Sequence, residues 1–370
     1  MIPEGNAGIL LGVEDLLVRR GGATVLDISR LQVFDGEVLS LIGPNGAGKS
    51  TLLLALSGLL KPLRGRLLFR GREIRDPFVY RRRVAMVFQE PLLFDMTVFD
   101  NVASGLRIRG LGRAEIRRAV SAYLERFGIG HLAGRSARKL SGGEAQRTSL
   151  ARAFITQPEI IFLDEPFSAL DSPTREGLVG DLERILCQTR TTAILSTHDQ
   201  SEALRLAHRV AVIGGGRIMQ VGPVDEVMNR PADGFVASFV GVETVLSGRV
   251  VRVSKGLFTA SVKGGGEIEA VGAVRTGDPV LCCIRPENIT ISTDSKPAET
   301  SARNRFSGTI RKITPLGLFL RVHVDCGFEL VSYLTSQSLE GLSLAPGKEV
   351  TASFKATAVH VIVRQSSPPA

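Results

Sequence analysis

The 370-residue sequence predicts an α/β layer fold with a mostly parallel central sheet, followed by a separate all-β part. Three features carry that expectation. A short apolar run at 37–42 leads into a glycine-rich loop that opens a helical stretch. Up to about Gly241, β-branched runs alternate with helical segments, the pattern of a sheet covered by helices. Beyond Gly241 strand-like runs of Val, Ile, Phe and Thr are punctuated by glycines, and the helical signal fades. A chain this long can bury two cores, one in each part.

Taken in order, residues 37–42 (EVLSLI) form the first buried strand, and the stretch from Ser50 (STLLLALSGLL) the first helix. Residues 84–89, 160–164, 192–197 and 210–213 are short apolar runs that read as further buried strands. Between 97 and 138 the pattern is helical with no strand signal, so a helical subdomain is expected within about 90–150. After 241 the one helical stretch is 336–342. That region also repeats itself. Ser247-Gly-Arg-Val-Val-Arg-Val returns as Ser307-Gly-Thr-Ile-Arg-Lys-Ile, Gly256-Leu-Phe as Gly317-Leu-Phe, and Gly277-Asp as Gly347-Lys. Cys283-Ile-Arg-Pro-Glu-Asn-Ile-Thr-Ile is paralleled by Phe354-Lys-Ala-Thr-Ala-Val-His-Val-Ile. Two small barrels in tandem, 245–293 and 301–363, are the natural expectation. The polar link STDSKPAET at 292–300 suits a flexible connector, and 365–370 reads as a frayed end. The expected domains are therefore 1–241 and 242–363.

Composition narrows the class. Hydrophobic residues at 44% and charged residues at 22% are globular proportions. The formal net charge of +9 suits nucleic acid, an anionic membrane face or a phosphate-bearing ligand. Aromatics are only 5% and Trp is absent, so no aromatic-rich basic segment speaks for nucleic acid. Cys187, Cys282, Cys283 and Cys326 form no CxxC pair, and Cys282 and Cys283 would point to opposite faces of a strand. They read as buried small hydrophobes in a reducing cytosol, not as a metal site or disulfide framework. The first twenty residues lack a basic n-region and a long apolar core, so no signal peptide is expected. No run reaches the length needed to span a bilayer, so a membrane would be met through another chain.

The chemistry sits in three motifs. Gly43-Pro44-Asn45-Gly46-Ala47-Gly48-Lys49-Ser50-Thr51 fits the G-x-x-x-x-G-K-[ST] phosphate loop. Its glycines let backbone N–H groups turn inward around a triphosphate, and the following helix offers its positive end. Lys49 supplies a point charge to the β- and γ-phosphates, and Ser50 can ligate Mg²⁺. Ile160-Ile-Phe-Leu-Asp-Glu is an apolar strand ending in two carboxylates that pleating aims differently. Asp164 can hold the Mg²⁺ through water, and Glu165 can polarise an attacking water. Leu140-Ser-Gly-Gly-Glu-Ala-Gln-Arg, before an alanine-rich helix, is the third. Ser141, Gly142 and Gly143 precede that helix, so their N–H groups and the helix dipole form a second anion site.

The third motif resembles the signature of ABC ATPases, and residues 13–241 then fall into that family's pattern. The resemblance implies an α/β P-loop NTPase, the ABC ATPase core with an inserted helical subdomain, that binds ATP with Mg²⁺ and hydrolyses it. Gln89 sits where the family has its Q-loop glutamine, contributing to catalysis and to the metal. Ser168-Ala-Leu-Asp171 looks like the D-loop, and His198 like the switch histidine. One chain cannot fold its signature onto its own phosphate loop across the helical insertion. The resemblance therefore implies a second copy of the chain, paired head-to-tail around two ATP molecules. Where the family usually has an aromatic residue for adenine this chain has Arg20, which either stacks on the base or stands exposed with no role.

A cassette followed by all-β, OB-like tandem barrels resembles importer ATPases with a TOBE extension. Ser301-Ala-Arg-Asn304, Pro315-Leu-Gly and Lys355-Ala-Thr-Ala-Val-His-Val-Ile resemble the Mop-like oxyanion-binding barrel of molybdate and tungstate proteins. Ser301, Arg303, Lys355 and Thr357 are the expected oxyanion residues, in a stretch 301–313 with four basic residues and no acid. The resemblance implies a transmembrane permease partner and, indirectly, an external solute-binding protein. It also implies a place at the cytoplasmic face of the membrane, and molybdate or tungstate as a regulatory ligand. The apolar stretch 90–99, Phe94 and Val98 included, reads as the permease docking patch. Alternative readings are an importer ATPase for sulfate, ferric ion, polyamine or sugar, or a soluble ABC ATPase associated with nucleic acid.

Overall fold

The computed structural model describes residues 8–293 and 300–364. The expected frayed end and the middle of the expected connector, 294–299, lie outside the described residues. The chain divides into two compact units between Val224 and Asp225.

The first unit is built on a six-stranded sheet made of β3 (Val38–Ile42), β6 (Val84–Val87), β7 (Ile160–Asp164), β8 (Thr192–Thr197), β9 (Arg209–Gly214) and β10 (Arg217–Pro223). Their order is β10-β9-β3-β8-β7-β6, parallel throughout except for β10 at one edge. Every residue of β3, β7 and β8 is buried, as expected of strands covered on both faces. Alternate side chains feed two cores. Ile160 and Phe162 join the core that holds α1 (Lys49–Leu56), and Ile161 and Leu163 join the one on the opposite face. That second core packs α3 (Val98–Ile108), α4 (Arg113–Arg126), α5 (Gly142–Phe154) and α6 (Ser172–Thr189). The segment from α3 to α5 is thus the helical insertion.

A second sheet lies over the α1 core, antiparallel in the order β2-β1-β4-β5. It consists of β1 (Ile9–Arg20), β2 (Ala23–Phe34), β4 (Arg64–Phe69) and the short β5 (Arg72–Glu73). Sequence reasoning did not separate this sheet from the alternating α/β pattern: β1 and β2 form a local hairpin about Gly21-Gly22 that it did not use, and β4 joins from far along the chain, as in Leu11↔Phe69. The remaining helices of this unit are α2 (Pro77–Arg81) and α7 (Gln200–Leu206).

The second unit takes in α8 (Val224–Asn229) from its second residue and all of α9 (Gly234–Phe239), so its boundary precedes the expected one at 241. Both helices are tied to the β region. Arg285 donates to the Met228 carbonyl, and His360 Nε2 donates to Pro231 O at 3.0 Å. Ten strands follow among the described residues, from β11 (Thr244–Ser254), β12 (Leu257–Val262), β13 (Gly266–Val271), β14 (Pro279–Ile284) and β15 (Thr290–Ser292) to β16 (Asn304–Leu316), β17 (Phe319–Asp325), β18 (Glu329–Leu334), β19 (Glu349–Phe354) and β20 (Val359–Val363). One helix, α10 (Ser336–Gly341), lies where a helical stretch was expected. They form two five-stranded sheets, β13-β12-β11-β14-β20 and β15-β19-β16-β17-β18.

The repeat is present, and its halves exchange their last strands. β15 leaves the first half to pair with β19, and β20 leaves the second to pair with β14. A single core results, with Val250, Phe258 and Val280 of one half beside Val322, Leu330 and Phe354 of the other.

Candidate functional site

The loop after β3 is shaped by two glycines with no room for a side chain. A Cβ on Gly43 would stand 2.2 Å from Ile213 O, and one on Gly48, at φ +103°, 2.7 Å from Leu26 Cδ2. Gly48 is also the N-cap of α1, so the loop empties directly into the helix whose first residues are Lys49, Ser50 and Thr51. Pro44, Asn45 and Gly46 are exposed, while Ala47 and Lys49 are buried beneath them. Lys49 Nζ donates to Gly43 O at 2.8 Å and Pro44 O at 3.2 Å, and lies 3.9 Å from Glu165 Oε1. Burial lowers the Lys49 pKa, against the pull of the Glu165 and Asp164 carboxylates.

Because the strands are parallel, the residues just past β3, β6, β7 and β8 gather at one edge of the sheet, where ligands of such folds bind. Ser50 Oγ donates to Asp164 Oδ1 at 2.9 Å, and Ser196 Oγ donates to the same oxygen at 2.6 Å. Glu165 follows in the left-handed region at φ +43°. Its N–H is held by Ser196 O and Oγ, both at 3.1 Å, which maintains a backbone conformation costly for a non-glycine residue. Its side chain is 16% exposed and sits between Lys49 and His198, whose Nδ1 is 3.2 Å from Glu165 Oε2. Gln89 is exposed two residues beyond the end of β6, on the same edge.

The remaining predicted residues form a second group. Ser141 caps α5 in a reciprocal box: Ser141 N donates to Glu144 Oε2 at 2.8 Å, and Glu144 N to Ser141 Oγ at 3.3 Å. Asp171 caps α6, accepting from Thr174 N and Thr174 Oγ1 at 3.0 Å each. A Cβ on Gly143 would meet Thr174 Cγ2 at 2.5 Å, so the two helix starts pack tightly. Ser141, Gly142, Gly143 and Asp171 line one cleft of about 470 Å³, and the hydrogen bonds of both capping side chains stay within their own helix starts.

Sequence reasoning missed Ser196, whose register opposite Asp164 sets the carboxylate; a serine ending an apolar strand carries no local signal of that. Arg20 is exposed at the end of β1. The expected oxyanion residues lie about the start of β16 and the end of β19. Arg303 Nη1 is 3.2 Å from Glu269 Oε2, an acid that lies on β13, beyond the reach of the local count of charges. Lys355 follows Phe354, which pairs with Asn304, so Lys355 and Arg303 stand at one end of the β16–β19 ladder. Ser301 is exposed ahead of β16, and Thr357 lines a cleft with Met228, Arg285 and His360. Val98 is corrected: it is fully buried in the helical core, whereas Phe94 is 52% exposed. Cys282 and Cys283 are both buried, their thiols pushed up to about 12 by desolvation. Cys187 is exposed. No helix among the described residues is long and apolar enough to cross a membrane.

A glycine loop opening a helix at the carboxyl edge of a parallel sheet, with an Asp-Glu pair ending β7 one strand removed from β3, defines a P-loop ATPase. Comparison with known proteins narrows this class. The ABC transporter family model matches residues 26–168 and the TOBE domain model residues 300–361. A molybdate/tungstate import ATP-binding protein of Pyrococcus horikoshii is 39% identical, over 89% of this chain and 93% of its own. A spermidine/putrescine import ATP-binding protein of Mesorhizobium japonicum is 35% identical, over 87% and 88% of the two chains. A sulfate/thiosulfate import ATP-binding protein of Thermosynechococcus vestitus is 36% identical, over 86% and 89%. Among solved structures, a dimeric post-hydrolysis ATP-binding cassette bound to ADP and Pi aligns with TM-score 0.54 and 27% identity, over 58% of this chain and 99% of that one. The chain belongs to the ABC import ATP-binding proteins that carry a TOBE domain, and it binds nucleotide and couples ATP hydrolysis to transport.

Proposed function

We propose that this chain powers the uptake of molybdate or tungstate through a separate transmembrane permease, working at the cytoplasmic face of the membrane. The observation that carries the solute is the 39% identity, along nearly the whole chain, to a molybdate/tungstate import ATP-binding protein. Polyamine and sulfate importers at 35% and 36% identity keep a second reading open.

For the ATPase step, the Lys49 ammonium meets the β- and γ-phosphates once a nucleotide replaces the loop carbonyls it now contacts. Glu165 accepts the proton of the attacking water, and His198 orients that carboxylate through Nδ1. Mg²⁺ fits the donor set. Ser50 Oγ and Asp164 Oδ1 are hard oxygens 2.9 Å apart, and no cluster of three or more His, Cys, Asp or Glu among the described residues forms a cage of its own. That suits an ion held by few protein ligands together with phosphates and water. Ser50, Gln89 and, through water, Asp164 would hold it, and its charge would offset that of the phosphates. The 141–143 turn and Asp171 face a cleft of their own, so a second copy of the chain completes the nucleotide sandwich; the dimeric cassette among the structural neighbours supports this.

Arg303 and Lys355 are the basic pair an imported oxyanion would address, displacing Glu269 and holding the assembly open. A coupling of ~1–3 kcal/mol would slow turnover by roughly 5–150-fold. The test is uptake and ATPase rate in the reconstituted transporter against molybdate, tungstate, sulfate and spermidine. Preference for sulfate or spermidine would overturn the assigned solute. Equal inhibition by molybdate in wild type and Arg303→Ala would remove the feedback role.

A further inference from the structure

The loop between β6 and α3 exposes three apolar side chains, Leu92, Phe94 and Met96. Two clips hold it. From α3, the buried Asn101 accepts from Phe94 N at 2.8 Å and donates Nδ2 to the carbonyls of Phe94 and Thr97, each at 3.0 Å. From α5, Arg152 donates Nη1 to Leu92 O at 3.0 Å and Nη2 to Pro91 O at 3.1 Å. The Arg152 guanidinium carbon also lies 5.5 Å from the centroid of the Phe94 ring. Leu92 stands in the left-handed region at φ +41°, a conformation that persists only where surroundings impose it.

The position of Arg152 gives this clip its meaning. It lies in the last turn of α5, the helix whose first turn carries Ser141, Gly142 and Gly143. At ~1.5 Å per residue the helix sets these ends about 16 Å apart, joined by a rigid rod. A planar guanidinium bonded to two successive carbonyls fixes direction as well as distance, which a lysine ammonium cannot do. Burial disfavours the charged form of Arg152, and the two carbonyls replace part of the water that its guanidinium gives up. Loop and helix are thereby tied to each other.

We propose that Arg152 is the positioning residue that carries movement of α5, when its first turn engages ATP across the dimer, to the loop 90–97 that docks the permease. This rests on the reading of the chain as a permease-bound ATPase. The apolar trio is then presented in one geometry with nucleotide bound across the dimer and in another without it. Arg152 touches no reacting atom.

Hydrogen exchange of the intact chain in a Glu165→Gln background, with and without Mg-ATP, tests this directly. Amides of 90–97 are expected to change protection on adding Mg-ATP, and Arg152→Lys is expected to abolish that change while ATP binding persists. In the reconstituted transporter, Arg152→Lys and Arg152→Met should keep the permease bound and basal ATPase intact. Uptake should fall about tenfold, in the range seen for residues along a coupling path. No nucleotide-dependent exchange at 90–97 in the chain with Arg152 intact, or unchanged uptake per ATP in the lysine variant, overturns the proposal. Should both substitutions prevent folding, that exchange comparison decides alone. Phe94→Asp separates the two readings: a permease that still binds and transports with it defeats the docking role of the loop, not the link through Arg152.

Discussion

Glu165 is pinned from three sides, by Ser196 at its backbone and by Lys49 and His198 at its carboxylate. Glu165→Gln keeps the size and the backbone bonds while removing the base. It should leave ATP binding intact and lower turnover by roughly 10²–10⁴-fold, the usual worth of a general base. A dimer that persists in Mg-ATP on gel filtration is the accompanying sign, and turnover near wild type would count against the role. A second residue concerns acid stability. Val38 N donates to His208 Nδ1 at 2.9 Å, and burial lowers the His208 pKa below its usual 6.5. Between the native pKa and 6.5 the unfolded chain binds the extra proton, so stability rises with pH in that window. The contribution is fully present above 6.5 and is lost as pH falls through the native pKa. Melting temperature should thus fall on acidification more in wild type than in His208→Asn; parallel curves would show that His208 plays no part.

At the scale of elements, the loop before α3 shows how far a pattern of apolar residues can be read. Phe94 and Val98 look alike in the stretch 90–99, yet Phe94 is half exposed and Val98 lies with Val102 and Leu106 in the helical core. The reason is local: Thr97 caps α3 by accepting from Asp100 N at 3.0 Å, so the helix starts at Val98 and turns that side chain inward. Phe94→Asp should fold, keep basal hydrolysis and lose coupled uptake. Val98→Asp buries an unpaired carboxylate and should cost several kcal/mol, enough to prevent folding. Circular dichroism and uptake assays check both. A stable Val98→Asp chain would contradict the burial, and undiminished uptake with Phe94→Asp would contradict the docking role.

For the whole molecule, the exchange of β15 and β20 makes the two halves of the second unit interdependent. Ending the chain at Ala358 removes β20, exposes the edge of β14 and opens the shared core at Val359. An exposed apolar edge is an aggregation site, so that unit should lose its cooperative transition although most of each repeat remains. The first unit has its own cores and should still bind ATP. Calorimetry that finds both transitions unchanged in the shortened chain would refute the dependence.

The phosphate loop, the Asp164-Glu165 strand end and the 141–143 cap were legible from residues alone because each is local chemistry. A strand, a glycine turn and a helix start lie within a dozen positions of one another, and backbone geometry does the rest. Most buried strands of the central sheet were legible for the same reason, as unbroken apolar runs. Long-range pairing was not. The pairing of β1 with β4, the register that sets Ser196 against Asp164, and the Glu269 partner of Arg303 each join residues tens of positions apart. The repeat could be seen in the letters, but identical letters suit a strand that stays in its own half or crosses to the other. Folding chooses the crossing here because β20 beside β14 and β15 beside β19 close one core shared by both halves.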